Sequence, residues 1–173
     1  MPNPPATMAP ATESWAEVRA HDHVMRYRRS GTGRAVLVLR ASGAPDPLWP
    51  ELADTLASRF RVIAPEVPAS GVDVAAWLTT FLEGLGCAGV AVVAADQFCM
   101  PALELALLDR DRVARVVLVP WGASEETGLD GVLGTTAREG SVPLLVVRRG
   151  LAAAEALPLV TSFLGGNGAH PPG

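Results

Sequence analysis

The chain has 173 residues, 49% of them hydrophobic and 18% charged, which describes one globular domain with enough apolar material for a full core and excludes a disordered chain. A formal net charge of −4 gives no electrostatic reason to propose nucleic acid or an anionic membrane as a partner. All 14 basic residues are arginine, scattered along the chain, and we read this bias as the codon usage of a high-GC genome of actinobacterial type.

Two cysteines, Cys87 and Cys99, make neither a disulfide framework nor a metal site. His21, His23 and His170 lack the clustered partners that zinc requires. No metal and no cofactor are therefore expected. The start of the chain lacks the basic and apolar stretches of a signal peptide, and no apolar run approaches the ~18 residues that span a bilayer. A cytoplasmic protein is the expectation.

In chain order, residues 1 to 14 are rich in Pro, Ala and Thr and read as a disordered segment. Residues 15 to 29 alternate as two short strands, with His21 and His23 on one strand face. Residues 35 to 40, AVLVLR, form a continuous apolar run of the kind buried on both faces of a parallel sheet. A helix follows over 48 to 60, then a strand over 61 to 67. A second helix spans 74 to 86, ended by Gly86. The central strand is 89 to 95, and a helix over 100 to 111 follows it at once. Residues 113 to 120 and 141 to 149 read as two more buried strands, and 151 to 165 as a last helix. Alternating strands and helices predict an α/β fold with a doubly wound, mostly parallel sheet, in a single domain over 15 to 165 with a flexible tail over 166 to 173.

Several of these stretches resemble the α/β-hydrolase superfamily. HVMRYRRSGTGRAVLVLR resembles its opening hairpin and first buried strand, RFRVIAPEVPASG its next strand and loop, and ALELALLDRDRVARVVLV the stretch after the nucleophile elbow. SVPLLVVRRG resembles the strand that carries the acidic member of the triad in many relatives. The elbow itself, a strand, a sharp turn and a helix around G-x-S-x-G, aligns with Ala94-Ala95-Asp96-Gln97-Phe98. The resemblance thus places Asp96 where the family has its serine, and neither glycine is present. Arg40-Ala41 stand where the family has its oxyanion-loop His-Gly. Ala153 holds the acidic position, with Glu155 two residues on. The stretch from 121 to 140 is too short for a lid domain, and too little sequence follows Gly150 for the family's last strand. His170, in GNGAHPP, stands in the base's place. A truncated, lidless member with a degenerate elbow is what the resemblance implies.

For Asp96 three readings stand: a covalent nucleophile, as in the haloalkane dehalogenase and epoxide hydrolase branches; a general acid or base perturbed by desolvation; and a plain helix cap. Gln97 offers a backbone amide for an oxyanion and a side chain for a ligand carbonyl. Bulky Phe98 and Cys99, where the family needs small residues, predict a relaxed or displaced elbow, and Cys99 reads as a buried thiol. Arg40, at the carboxyl edge where open α/β sheets bind ligands, is expected to face Asp96 or an acidic substrate. Ala41, Ser42, Gln97 and Trp121 complete the expected substrate-binding set, with Glu66 and Asp73 as further lining. The catalytic candidates are Asp96 and His170.

Three functions remain open at this point. One is a small-molecule enzyme of bacterial secondary metabolism (a cyclase, lyase or hydrolase) acting on an apolar substrate. Another is an inactive binding or scaffold subunit. The third is a hydrolase with a rearranged triad. A bare edge at 141 to 149 predicts a homodimer paired through that strand.

Overall fold

The computed structural model describes residues 12–41, 48–120, 142–147 and 150–166. Residues 1–11, 42–47, 121–141, 148–149 and 167–173 lie outside the described residues, and with them most of the expected disordered start and flexible tail. Seven strands form one sheet: β1 (Ser14–Ala20), β2 (His23–Ser30), β3 (Ala35–Leu39), β4 (Arg61–Pro65), β5 (Val90–Ala95), β6 (Val113–Val119) and β7 (Leu144–Val146). Among the described residues four α-helices accompany them: α1 (Trp49–Arg59), α2 (Val74–Leu85), α3 (Cys99–Leu108) and α4 (Ala153–Gly165).

The strand order is β1-β2-β4-β3-β5-β6-β7. The β1–β2 hairpin joins antiparallel to β4, and the pairs from β4 through β7 are parallel. This is the doubly wound, mostly parallel sheet that the alternating pattern predicts. Leu78, Phe81 and Leu82 of α2 and Leu103 of α3 pack on one face with Leu37 and Val92. Leu52 and Leu56 of α1 and Val160 of α4 pack on the other with Val36, Val93 and Val117.

Local chemistry explains the boundaries. Asp73 caps α2, its Oδ1 accepting the Ala76 N–H at 3.0 Å, and Gly86 ends that helix in the left-handed conformation, φ 61°, as a side chain-free residue readily does. β1 begins at Ser14. His21 and Asp22 form the hairpin turn between β1 and β2, with His21 at φ 51°. His21 and His23 therefore do not alternate along a strand. His21 instead lies 3.7 Å from Glu83 at the surface. Among the described residues the last strand is shorter than expected: Leu144–Val146 form it, with the Pro143 carbonyl and the Val147 N–H as flanking ladder partners of β6, and Pro143 has no N–H to carry the ladder further back.

Gly31, in the β2–β3 connection, sets how closely that turn approaches α1. It has φ +70°, and a Cβ there would lie 2.2 Å from the Phe60 carbonyl oxygen and 2.3 Å from that of Ala57. Gly33 has φ +97° but meets nothing nearer than 3.5 Å. We expect Gly31→Ala to lower folding stability by about 2 kcal/mol or more, and Gly33→Ala by only about 1 kcal/mol of backbone strain. Urea denaturation of the two variants checks the contrast.

Candidate functional site

In the order β4-β3-β5 the chain leaves β3 first to one side and then to the other, which makes the carboxyl ends of β3 and β5 the switch point where open α/β sheets bind ligands. The register pairs Leu39 with Ala94, so Arg40 and Asp96 leave adjacent strands within two residues of that pair. β5 is buried along its whole length. Ala95 is still extended, with φ −121° and ψ 154°, and Asp96 then turns to φ +53°. A 3-10 turn over Asp96–Phe98 follows and leads directly into α3, with the Cys99 N–H donating to the Asp96 carbonyl.

A non-glycine residue at positive φ is uncommon, although Asp and Asn tolerate it better than most. The turn is thus sharp, not relaxed as bulky Phe98 and Cys99 suggest in sequence. Both side chains are accommodated by burial: Phe98 packs into the core, and the Cys99 thiol points at the Ala94 carbonyl, 3.6 Å away. Cys99 is the buried thiol that was expected. The N-cap positions are Ala95 for the turn and Phe98 for α3, neither with a side-chain cap. Asp96 is half-buried, with its Oδ2 atom inside the protein.

Beside this turn lies a crevice of about 840 Å³. Arg40, Ala41, Glu66, Gln97 and Phe98 line it, which brings together most of the expected substrate-binding residues that fall within the described chain. Asp96 itself is not part of the wall, although its two successors are. Arg40 places its guanidinium 5.1 Å from the Trp49 ring centroid, a cation–π contact that the expected Arg40–Asp96 pairing did not foresee. Asp73 is occupied with capping α2. Ser42, Trp121 and His170 lie outside the described residues. Glu155 sits exposed in the first turn of α4, next to Ala153.

Sequence reasoning missed the far wall of the crevice. Trp15, half exposed on β1, lies 4.8 Å from the Arg26 guanidinium and 5.7 Å from that of Arg28. Arg28 reaches Glu13 at 3.2 Å, and Arg26 reaches Glu66 at 3.8 Å. Hairpin register sets Trp15 opposite Arg28. The alternation of Trp and Glu on one strand with two arginines on the next was the available signal. Among the described residues no three His, Cys, Asp or Glu side chains gather as a metal site, and no described helix is long and apolar enough to cross a membrane.

No family model and no curated protein sequence matches the chain. Solved structures do. An epoxide hydrolase matches at 22% identity and TM-score 0.53, over 62% of this chain and 42% of its own. A naproxen esterase of Bacillus subtilis matches at 14% identity and TM-score 0.54, over 70% and 50%. A laboratory-evolved potato epoxide hydrolase matches at 20% identity and TM-score 0.52, over 62% and 39%. The fold is that of the α/β-hydrolases. The chain spans half or less of the length of these three hydrolase-fold structures.

The left-handed turn makes a prediction about Asp96 that is independent of chemistry. Asp96→Asn and Asp96→Gly should leave the thermal midpoint nearly unchanged, because both residues accept positive φ. Asp96→Val should cost about 1–2 kcal/mol. Melts followed by circular dichroism check this, and a valine variant as stable as the parent would contradict the turn.

Proposed function

We propose that the chain is a small-molecule-acting protein of the hydrolase fold, working in the cytoplasm of a high-GC bacterium, with its chemistry in the crevice at the carboxyl edge. Its expected setting is secondary metabolism, and its substrate is mostly apolar. Asp96 supplies the charged group, as acid, base or covalent nucleophile. Arg40, Ala41 and Gln97 hold the substrate, with Ser42 and Trp121 as further candidates for that role. His170 is the base that a covalent route needs, because an aspartyl ester must be hydrolysed by an activated water.

One observation carries this reading. A carboxylate is held at positive φ on the turn where two buried strands end, next to a crevice of ligand size. Strained backbone of this kind concentrates at functional sites, and sites of several hundred Å³ are typical for small ligands. Since some solved structures of this fold are epoxide hydrolases and others esterases, epoxides and esters are the first substrates to offer. Asp96→Asn should reduce any turnover by at least about a hundredfold, the scale on which loss of a positioned acid or base acts. A fluorophosphonate serine-hydrolase probe should leave the chain unlabelled.

A second reading is a binding subunit without chemistry, favoured by the absence of Asp96 from the crevice wall. Ligand affinity that survives Asp96→Asn, with no turnover in either form, would select it.

We also propose a homodimer paired through β7, the end of the sheet among the described residues. The Val147 N–H donates to the Leu118 carbonyl at 2.8 Å, so in the alternating ladder the Val146 N–H points away from β6. Val146→Pro therefore removes only an outward donor and should dissociate the dimer, whereas proline at Val147 would also break the sheet. Light scattering at micromolar concentration checks this, and a monomeric mass for the parent chain would remove the proposal.

A further inference from the structure

The opposite edge of the sheet, where β3 and β4 begin, holds a second cavity of about 610 Å³. Three arginines, Arg29, Arg34 and Arg61, line it, and among the described residues its lining contains no acidic side chain. In a chain of net charge −4, that local excess is unusual. Register places Arg29 of β2 opposite Ile63 of β4, so Arg61, two residues earlier on the same face, is its diagonal neighbour. Such neighbours stand about 7–8 Å apart, and like charges in cross-strand contact are destabilising.

Elsewhere arginines of this chain face carboxylates: Arg28 with Glu13 at 3.2 Å, Arg112 with Asp109 at 2.9 Å. In this cavity the partners are neutral. Arg29 Nε donates to Ser14 Oγ at 3.2 Å, Arg34 Nη1 to the Gly166 carbonyl at 3.5 Å, and Arg61 Nη2 to Cys87 Sγ at 3.9 Å. Each contact uses one donor of a guanidinium that carries five. The positive field reaches inward as well: burial, and then nearby Arg34, hold the Arg115 guanidinium below its ordinary pKa.

We propose that this amino-edge cavity binds a small organic phosphate. Arg29, Arg34 and Arg61 take the phosphoryl oxygens, and Ile63, Leu85 and Tyr27 receive the organic body. A carboxylate satisfies one guanidinium fork, whereas a phosphoryl group offers three acceptor oxygens and up to two charges to several forks at once. The cavity exceeds the needs of inorganic phosphate alone and falls within the range of small-molecule sites. It opens on the other face of β2 and β4 from the crevice, since Arg29, Arg61 and Ile63 alternate along these strands with the crevice residues Ser30, Val62 and Ala64, so it is separate from the site proposed above and does not depend on it.

Calorimetric titration of the full chain with phenyl phosphate tests this, with benzoate as the carboxylate control. Expected are saturable one-to-one binding that weakens several-fold between low and moderate salt, and much weaker binding of benzoate. Arg29→Gln and Arg61→Gln should each lose about tenfold in affinity, while Arg19→Gln, an exposed arginine on β1, should lose nothing. Melting temperatures of the two cavity variants should stay level or rise, since a like-charge contact is relieved. The proposal is overturned by absence of saturable phenyl phosphate binding in the millimolar range or by equal affinity for benzoate. Equal losses in Arg19→Gln, or cavity variants that melt earlier yet bind as the parent does, overturn it too.

Discussion

Six consecutive buried residues, Val90 to Ala95, make β5 the strand on which both halves of the molecule rest. Val90, Val92 and Ala94 face the cluster built with α2 and α3, while Ala91, Val93 and Ala95 face the one built with α1 and α4. With hydrogen-bonded neighbours on both edges and close packing on both faces, the strand has little freedom to shift, since interiors packed at crystal-like density transmit displacement instead of absorbing it. The two cores are therefore coupled through one backbone. Its carboxyl end, where the half-buried aspartate leaves the sheet, is consequently firmly held, and preorganised chemistry needs that kind of support.

Much of this was legible from apolar runs alone. The runs at 35 to 39, 90 to 95 and 113 to 119 are strands because strands covered on both faces carry continuous apolar sequence. The helices announce themselves by Asp73, Gly86 and the 3.6-residue spacing of Leu52 and Leu56. Two readings went astray for local reasons. Alternation cannot separate a two-residue turn from a strand, so His21 was placed on a face it does not share with His23. Composition also extends the last strand well past its paired residues, because apolar character at 142 to 147 serves packing as well as pairing.

The site was legible in part. Strand order locates the carboxyl edge, and from it the crevice residues Arg40, Ala41 and Gln97 follow. Bulk at Phe98 and Cys99 was misleading, because tolerance of a tight turn depends on whether the core has room for those side chains, which sequence spacing does not reveal. The Arg40–Trp49 contact and the tryptophan on the hairpin depend on how β1, β2, β3 and α1 meet in space. Charge placement at the amino edge was equally hidden: Arg29, Arg34 and Arg61 are scattered in sequence and converge only through the pairing of β2 and β3 with β4.

The positive φ at Asp96 also filters the evolutionary history open to this position. Most side chains that could arise there would meet a stability penalty before selection could act on any new activity, and proteins that sit only slightly above their stability threshold absorb few such penalties. Glycine, asparagine and aspartate are the residues that pass without that cost. Of these three, only aspartate carries an ionisable group. A lineage that held this turn and lost an earlier reactive residue would thus be channelled by backbone geometry toward a carboxylate, whatever chemistry it later acquired.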